Sequence, residues 1–296
     1  MTAPTPLRGP ASRGDGDAAL LMVGHGTRDP EGAALVRALA RRVAELAPDT
    51  DVRDAYLDNA PPSVTRALDA LAADGVTRAT VLPLLLTAAS HSKGDLPGAV
   101  QASRLRHPGL RLAYGRPLGP HPALLEVLAD RLAEAGAGPE RDDTAVVLAA
   151  VGALDPDGNA EVVKTARLLW EGRRWPHVEA AFLTATRPDV PTVVDRLATL
   201  GVRRVALAPY ALAPGLLPRK AAEQARETAD RRGLELVVAA PLGVHDALAG
   251  LVLERHREAL RGDIRMNCDV CAYRVPMPGY ESRVGAPQEP HDHPDD

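Results

Sequence analysis

The chain has 296 residues, of which 45% are hydrophobic and two are cysteines, and its formal net charge is −4. This length and composition favour one large or two ordinary globular domains, and they exclude disorder of the whole chain and a disulfide framework. The interspersed charges provide neither a basic face for nucleic acid nor a cationic helix for a membrane surface.

The chain begins with residues 1–17, MTAPTPLRGPASRGDGD, which lack an apolar core of signal-peptide length. We expect this segment to be a disordered lead and the protein to be cytoplasmic. The longest uncharged stretch, 205–218, contains three prolines. It is shorter than the roughly 18 apolar residues of a membrane-spanning helix, so no transmembrane segment is predicted.

Short apolar runs rich in branched residues alternate with amphipathic stretches along the first half of the chain. The predicted strands are 19–23, 52–57, 79–86 and 111–114. The predicted helices are 31–47, 64–73 and a further helix opened by Pro122. This alternation is typical of a doubly wound α/β fold, in which helices cover both faces of a parallel sheet.

The second half of the chain repeats the first when it is shifted by 126 residues, as Asp29-Pro30 falling on Asp155-Pro156 illustrates. Under the same shift VRDAYL falls on VEAAFL, and with a two-residue slip PLGPH falls on PLGVH. We therefore predict two similar domains, 18–138 and 143–262, joined by a Gly/Pro-rich linker. A cleft between them is the natural ligand site. Residues 263–296 have neither period and are expected to form an irregular tail.

Three side chains that can bind a metal or exchange a proton follow the first three predicted strands: His25, Asp58 and His91. Adjacent strands are about 4.8 Å apart, so loops at their carboxyl ends can converge within about 10 Å. Taken alone, each of these residues is also consistent with an ordinary loop position, and Asp58 could simply form an Asx turn. Together, two imidazoles and a carboxylate can bind a divalent transition metal or accept protons near neutral pH.

The repeat acts as an internal control for these three residues. Under the 126-residue shift His25 meets Val151, Asp58 meets Thr184 and His91 meets Leu217. All three ionisable groups are lost together, although the surrounding scaffold residues persist. This asymmetry predicts a single active site in the first half and a degenerate copy in the second.

The motifs around these residues resemble those of the class II tetrapyrrole chelatases, in particular the sirohydrochlorin cobaltochelatase and ferrochelatase group. The matching segments are GHGTRDPEG at 24–32, YLD at 56–58 and PLLLTAASHSKGDLP at 83–97. The chain departs from the family pattern in having Thr27 for Ser, Ala89 where Gly is common, and Asp58 for Glu.

The resemblance implies two tandem chelatase-like domains and a lyase that inserts Co²⁺ or Fe²⁺ into sirohydrochlorin, for cobalamin or siroheme. It further implies that His25 and His91 accept pyrrole protons and bind the metal transiently, and that Asp58 positions the metal or receives protons. Five cations near the predicted rim are candidates for binding the carboxylates of sirohydrochlorin, although each is also readable as solvated surface charge: Arg28, Lys93, Arg116, Arg219 and Lys220.

The tail contains Cys268 and Cys271 in a CxxC, and His291 and His293 near its end. Some members of the family carry a C-terminal MxCxxC associated with an iron–sulfur cluster, and others have His-rich stretches thought to gather metal. A closed zinc or cluster site needs four ligands, which these residues could supply within one chain or as pairs from two chains. The alternative is a flexible tail with two reduced thiols. We expect a monomer, with a dimer through the tail left open.

Two rival functions remain at this point. The same cleft could belong to a non-catalytic metal or tetrapyrrole carrier. A two-lobed binding protein of the periplasmic type is the second rival, but it would need a signal peptide, which residues 1–17 do not show.

Overall fold

The computed structural model describes residues 18–27, 29–263 and 281–286. Within these ranges the chain forms two four-stranded sheets. The strands are β1 (Ala19–Gly24), β2 (Val52–Tyr56), β3 (Arg78–Pro83), β4 (Arg111–Tyr114), β5 (Thr144–Ala150), β6 (Val178–Phe182), β7 (Arg204–Pro209) and β8 (Glu235–Val238). The helices are α1 (Pro30–Leu46), α2 (Val64–Ala73), α3 (Leu96–Arg106), α4 (Pro122–Glu134), α5 (Pro156–Trp170), α6 (Val190–Thr199), α7 (Leu216–Arg232) and α8 (Asp246–Arg261).

Both sheets are parallel and have the same strand order, β2-β1-β3-β4 and β6-β5-β7-β8. The fold is therefore the predicted pair of tandem doubly wound sheets. The chain leaves β1 for β2 on one side and later returns to β3 on the other, so the switch in strand order lies between β1 and β3. Val23 pairs with Pro83 and Gly24 pairs with Tyr56, which brings the ends of the three strands level.

Matching caps start the first helix of each half. Asp29 accepts a hydrogen bond from the Glu31 N–H, and Asp155 accepts one from the Asp157 N–H. In each case a proline follows as the first helical residue, where its missing N–H costs nothing. The preceding strands, β1 and β5, are buried along their whole length because helices cover both faces of each sheet.

The main apolar core lies between the two sheets and is built from α1, α4, α5 and α8. Separate clusters place α2 and α3 on the outer face of the first sheet, and α6 and α7 on that of the second. The last helices are exchanged, because α4 packs against β7 whereas α8 packs against β3 and β4. None of the helices in the described ranges combines the length and apolarity needed to span a bilayer.

Two local expectations were wrong. The third strand ends at Pro83 instead of residue 86; proline has no N–H to continue a ladder, and the second copy ends likewise at Pro209. A π-helical turn, His91–Asp95, and α3 follow where no helix was predicted. The buried face of α3 includes the small residues Gly98, Ala99 and Ser103, which give no clear apolar stripe.

Candidate active site

The structure brings His25 and His91 together at the switch point of the first sheet. His25 lies in the loop after β1, and His91 opens the π-helical turn that leads into α3. Their rings meet edge to face, with centroids 4.8 Å apart and planes at 89°. Single π-turns of this kind are frequent at functional sites. The two imidazoles can therefore act on one bound species.

The loop that carries His25 is held by the backbone after β2. The Leu57 N–H donates to the Gly24 carbonyl at 3.0 Å, and the Asp58 N–H donates to the His25 carbonyl at 2.9 Å. Gly26 has a φ of 89°, and a Cβ there would lie 1.5 Å from the Asp58 carbonyl oxygen. This close approach requires glycine between His25 and Thr27.

His91 is oriented by a carboxylate that the sequence motifs contained but that sequence reasoning did not assign. Nδ1 of His91 lies 2.6 Å from Oδ2 of Asp95. An ionised carboxylate only accepts, so Nδ1 carries the proton and Nε2 is left to bind a metal or take a proton. The four-residue spacing of His91 and Asp95 within HSKGD was the available signal.

Tyr114 contacts the same turn from the end of β4. Its hydroxyl donates to the Ser92 carbonyl at 2.7 Å. Burial, together with the nearby charge of Asp95, raises the pKa of Tyr114 well above its usual range. The phenol therefore stays protonated and keeps donating to the turn that carries His91.

Asp58 lies next to His25, because its N–H donates to the His25 carbonyl at 2.9 Å. Asn59, with a φ of 57°, turns the chain immediately after it. Among the described residues, no group of three or more His, Cys, Asp or Glu side chains could hold a metal ion. The geometry thus assembles the two histidines, and the ligand role of Asp58 stays a prediction.

Lys93 does not lie on the open rim where the sequence placed it. Its side chain is 5% exposed, and Nζ lies 2.9 Å from Oδ2 of both Asp155 and Asp157. Burial opposes the charge, but the hydrogen bonds to the two carboxylates outweigh it and raise the pKa of Lys93. Its cation is therefore occupied by the second half, which argues against the expected substrate contact.

Arg116 is likewise committed to an internal partner, because it makes a two-point contact with Glu258 of α8 at 3.0 and 2.8 Å. Arg219 does lie where the halves meet: it is 58% exposed and donates to Asp29 at 3.1 Å. Lys220, beside it in the first turn of α7, is exposed.

The remaining predicted residues are outside the described ranges: Arg28 in the first half, and Cys268, Cys271, His291 and His293 in the tail. The possible cluster or zinc site of the tail, and its alternative of a flexible tail with two reduced thiols, therefore stay as the sequence left them.

The positions of the second half that match the two histidines are apolar. Val151, which matches His25, is 39% exposed, and Leu217 matches His91. Leu154, three residues after Val151, is 64% exposed, and Leu216, next to Leu217, is 74% exposed. Thr184 donates its hydroxyl to the Val151 carbonyl at 2.9 Å instead of offering a titratable group. At the three matched positions the first edge therefore has ionisable side chains, His25, Asp58 and His91, and the second has none.

A buried carboxyl of α5 faces the loop between β3 and His91. Oε2 of Glu161 accepts a hydrogen bond from the Ala88 N–H at 2.6 Å, and the residue is 9% exposed. Burial raises the pKa of Glu161 to about 7, and the charge of Asp157 adds to this shift. Sequence reasoning could not single out Glu161, because the first half of the chain provides much of its environment.

Two tandem doubly wound parallel sheets, with a histidine pair at the switch point of the first, define a two-lobed class of α/β protein. The CbiX family model matches the chain twice, over residues 19–135 and 145–259. The chain belongs to the CbiX family.

Curated relatives include both a cobaltochelatase and a ferrochelatase, the two activities that the sequence motifs suggested. A sirohydrochlorin cobaltochelatase from Priestia megaterium is 35% identical over 263 residues, covering 86% of this chain and 84% of the relative. A sirohydrochlorin ferrochelatase from the same organism is 28% identical over 235 residues, covering 79% and 87%. The solved structure of SirB from Bacillus subtilis with Fe³⁺ superposes with a TM-score of 0.74 at 26% identity, covering 83% of this chain and 96% of that one.

Proposed function

We propose that this protein is a sirohydrochlorin chelatase, a lyase that inserts Co²⁺ or Fe²⁺ into the macrocycle at the first half. The observation that carries the proposal is the His25–His91 pair at the switch point of the first sheet, with 4.8 Å between the ring centroids. The matching positions of the second sheet are Val151 and Leu217, which have no ionisable group. The names of the relatives support chelation of sirohydrochlorin and favour an enzyme over a carrier. Co²⁺ or Fe²⁺ is a substrate in this reaction.

Metal insertion requires two pyrrole N–H protons to leave as the ion enters. An imidazole has a pKa suited to accept a proton near neutral pH, and His91 presents Nε2 because Asp95 holds Nδ1–H. Two imidazoles without a third protein ligand in the described ranges form an open coordination shell. Such a shell favours transfer of the ion to the ring, since a closed four-ligand site would retain it.

The second half supplies side chains that complement the macrocycle. Arg219 and Lys220 are exposed cations for the carboxylates of sirohydrochlorin, and Arg28 remains a candidate from the sequence. Leu154 and Leu216 offer exposed apolar surface for the ring. Lys93 and Arg116 are left out of this binding set because carboxylates of the protein already occupy them.

The proposal is tested by the absorbance change of sirohydrochlorin on metallation, followed with the protein far below the macrocycle concentration. An enzyme metallates many equivalents, whereas a carrier changes at most one equivalent per chain. Running the assay with Co²⁺ and with Fe²⁺ gives a kcat/KM for each, which decides between the two metals and hence between the cobalamin and siroheme branches. Rates equal to the spontaneous reaction with both metals would refute the proposal.

A further inference from the structure

The segment that carries His91 is held by the second half of the chain. Between β3 and His91, the Leu86 carbonyl accepts from the Tyr210 hydroxyl at 3.3 Å, and the Ala88 N–H donates to Glu161 at 2.6 Å. Just beyond His91, Lys93 is held by two carboxylates of α5. Contacts from the other half therefore bracket the histidine on both sides.

The ion pairs that Lys93 makes with the second half are buried. The side chains of Lys93, Asp155 and Asp157 are 5%, 0% and 1% exposed. Separating such an ion cluster leaves buried charges without a partner, which is strongly unfavourable. Gly158 adds close packing, because a Cβ there would lie 3.1 Å from Cβ of Ala89. The π-helical turn is thus fixed against α5.

The repeat contains an equivalent ion pair in which the second half supplies the cation and the first half the carboxylate, and the two pairs differ in exposure. Arg219 and Asp29 match Lys93 and Asp155 under the 126-residue shift, and they are 3.1 Å apart. Their side chains are 58% and 21% exposed. The buried version supports the turn that carries His91, whereas the exposed version involves Arg219 in the first turn of α7, which also carries Leu217.

His25 is held differently, by backbone hydrogen bonds from the loop after β2 in its own half. The loop that carries His25 is thus held within the first half, whereas the turn that carries His91 is held by both halves: by Asp95 and Tyr114 of the first and by Lys93's partners in the second. The separation of the two rings depends on how the halves pack.

We infer that the second half positions His91, through the buried cluster of Lys93, Asp155 and Asp157 and the contact of Glu161 with Ala88. The degenerate copy then contributes no reacting group but sets the geometry of the histidine pair. Lys93 and its partners are positioning residues. This inference rests on the proposed function only for its kinetic readout.

The test compares Lys93→Met with Arg42→Met. Arg42 makes a two-point ion pair with Asp246 between α1 and α8, at 2.7 and 2.9 Å, so the control removes the same charge from another contact between the halves. Loss of a supporting contact of this kind typically costs roughly 10–100-fold in metal affinity or activity. We expect Lys93→Met to lower kcat by about tenfold or more with the sirohydrochlorin KM within about twofold, and Arg42→Met to leave both unchanged.

Lys93→Met leaves two buried carboxylates, so a second variant removes all three charges: Lys93→Met, Asp155→Asn and Asp157→Asn together. Asparagine keeps the cap of α5. Each variant is also titrated with Co²⁺ alone. Subtracting the Co²⁺ bound by a variant that lacks both His25 and His91 removes any contribution of the tail, so the titration reads the histidine pair without the macrocycle. A cooperative thermal transition with a Co²⁺ affinity weakened about tenfold supports the inference. A folded triple variant with wild-type Co²⁺ affinity and spectrum overturns it, whether or not the wild type proves to be a chelatase.

Discussion

Glu161 gives the protein a predicted pH dependence of stability. Its pKa is raised from 4.5 to about 7, first by burial and then by the charge of Asp157, against the opposing effects of the Ala88 N–H, Lys93 and Lys164. The folded state therefore retains a proton that the unfolded chain loses between these two values. The stability contributed by the neutral carboxyl is complete below pH 4.5 and is lost as the pH rises through about 7.

The magnitude follows from the same shift. At 1.36 kcal/mol for each pKa unit, the free energy of unfolding falls by about 3 kcal/mol across this window. Glu161→Gln removes the titration and keeps an oxygen that can accept from the Ala88 N–H. We therefore expect the stability of the variant relative to wild type to rise by about 3 kcal/mol between pH 4.5 and pH 8.

The assay is urea unfolding of both proteins at several pH values from 4.5 to 8. Glu126→Gln is the control, since it removes the same charge from an exposed position on α4. Its pH profile should run parallel to wild type. If the difference between Glu161→Gln and wild type stays constant across the range, the buried, proton-retaining carboxyl is refuted.

Two further predictions concern the loops of the site. Asp95→Asn should lower kcat roughly 10–100-fold with the fold intact, because the carboxylate that fixes Nδ1–H of His91 is lost. Metal-insertion kinetics measure kcat, and ¹⁵N NMR of the imidazole identifies the tautomer. An unchanged rate would show that Asp95 does not orient His91. Gly26→Ala should reduce the free energy of unfolding by clearly more than Gly75→Ala. Both glycines have positive φ, 89° and 76°, but only Gly26 would also bring a Cβ against Asp58. Chemical denaturation measures this difference, and equal losses would contradict it.

Much of the fold could be predicted because it is written in local patterns. Each buried strand is an apolar run, and the helix caps at Asp29 and Asp155 precede prolines in both copies. The repeat fixed the second sheet from the first, and its two-residue slip falls between β7 and β8. The histidines were accessible for the same reason, since parallel strand ends lie at one edge of a sheet.

The partners of charged side chains could not be predicted in this way. Lys93 and Arg116 were expected to face substrate, but they pair with acids 62 and 142 positions away along the chain. Which acid reaches a cation depends on how α5 and α8 pack on the first half, and no local pattern encodes that packing. The raised pKa of Glu161 could not be predicted from the sequence for the same reason.

The central claim is that the chemistry resides in one of two matched edges. The most direct test measures kcat of metal insertion for His25→Ala and His91→Ala. It compares them with Val151→Ala and Leu217→Ala, which change the corresponding positions of the second half. Loss of a proton-accepting imidazole should lower kcat by about 10²-fold or more. The matched changes should leave kcat within about threefold and act mainly on affinity, because they remove no ionisable group. Equal losses of kcat at the two edges would contradict the account.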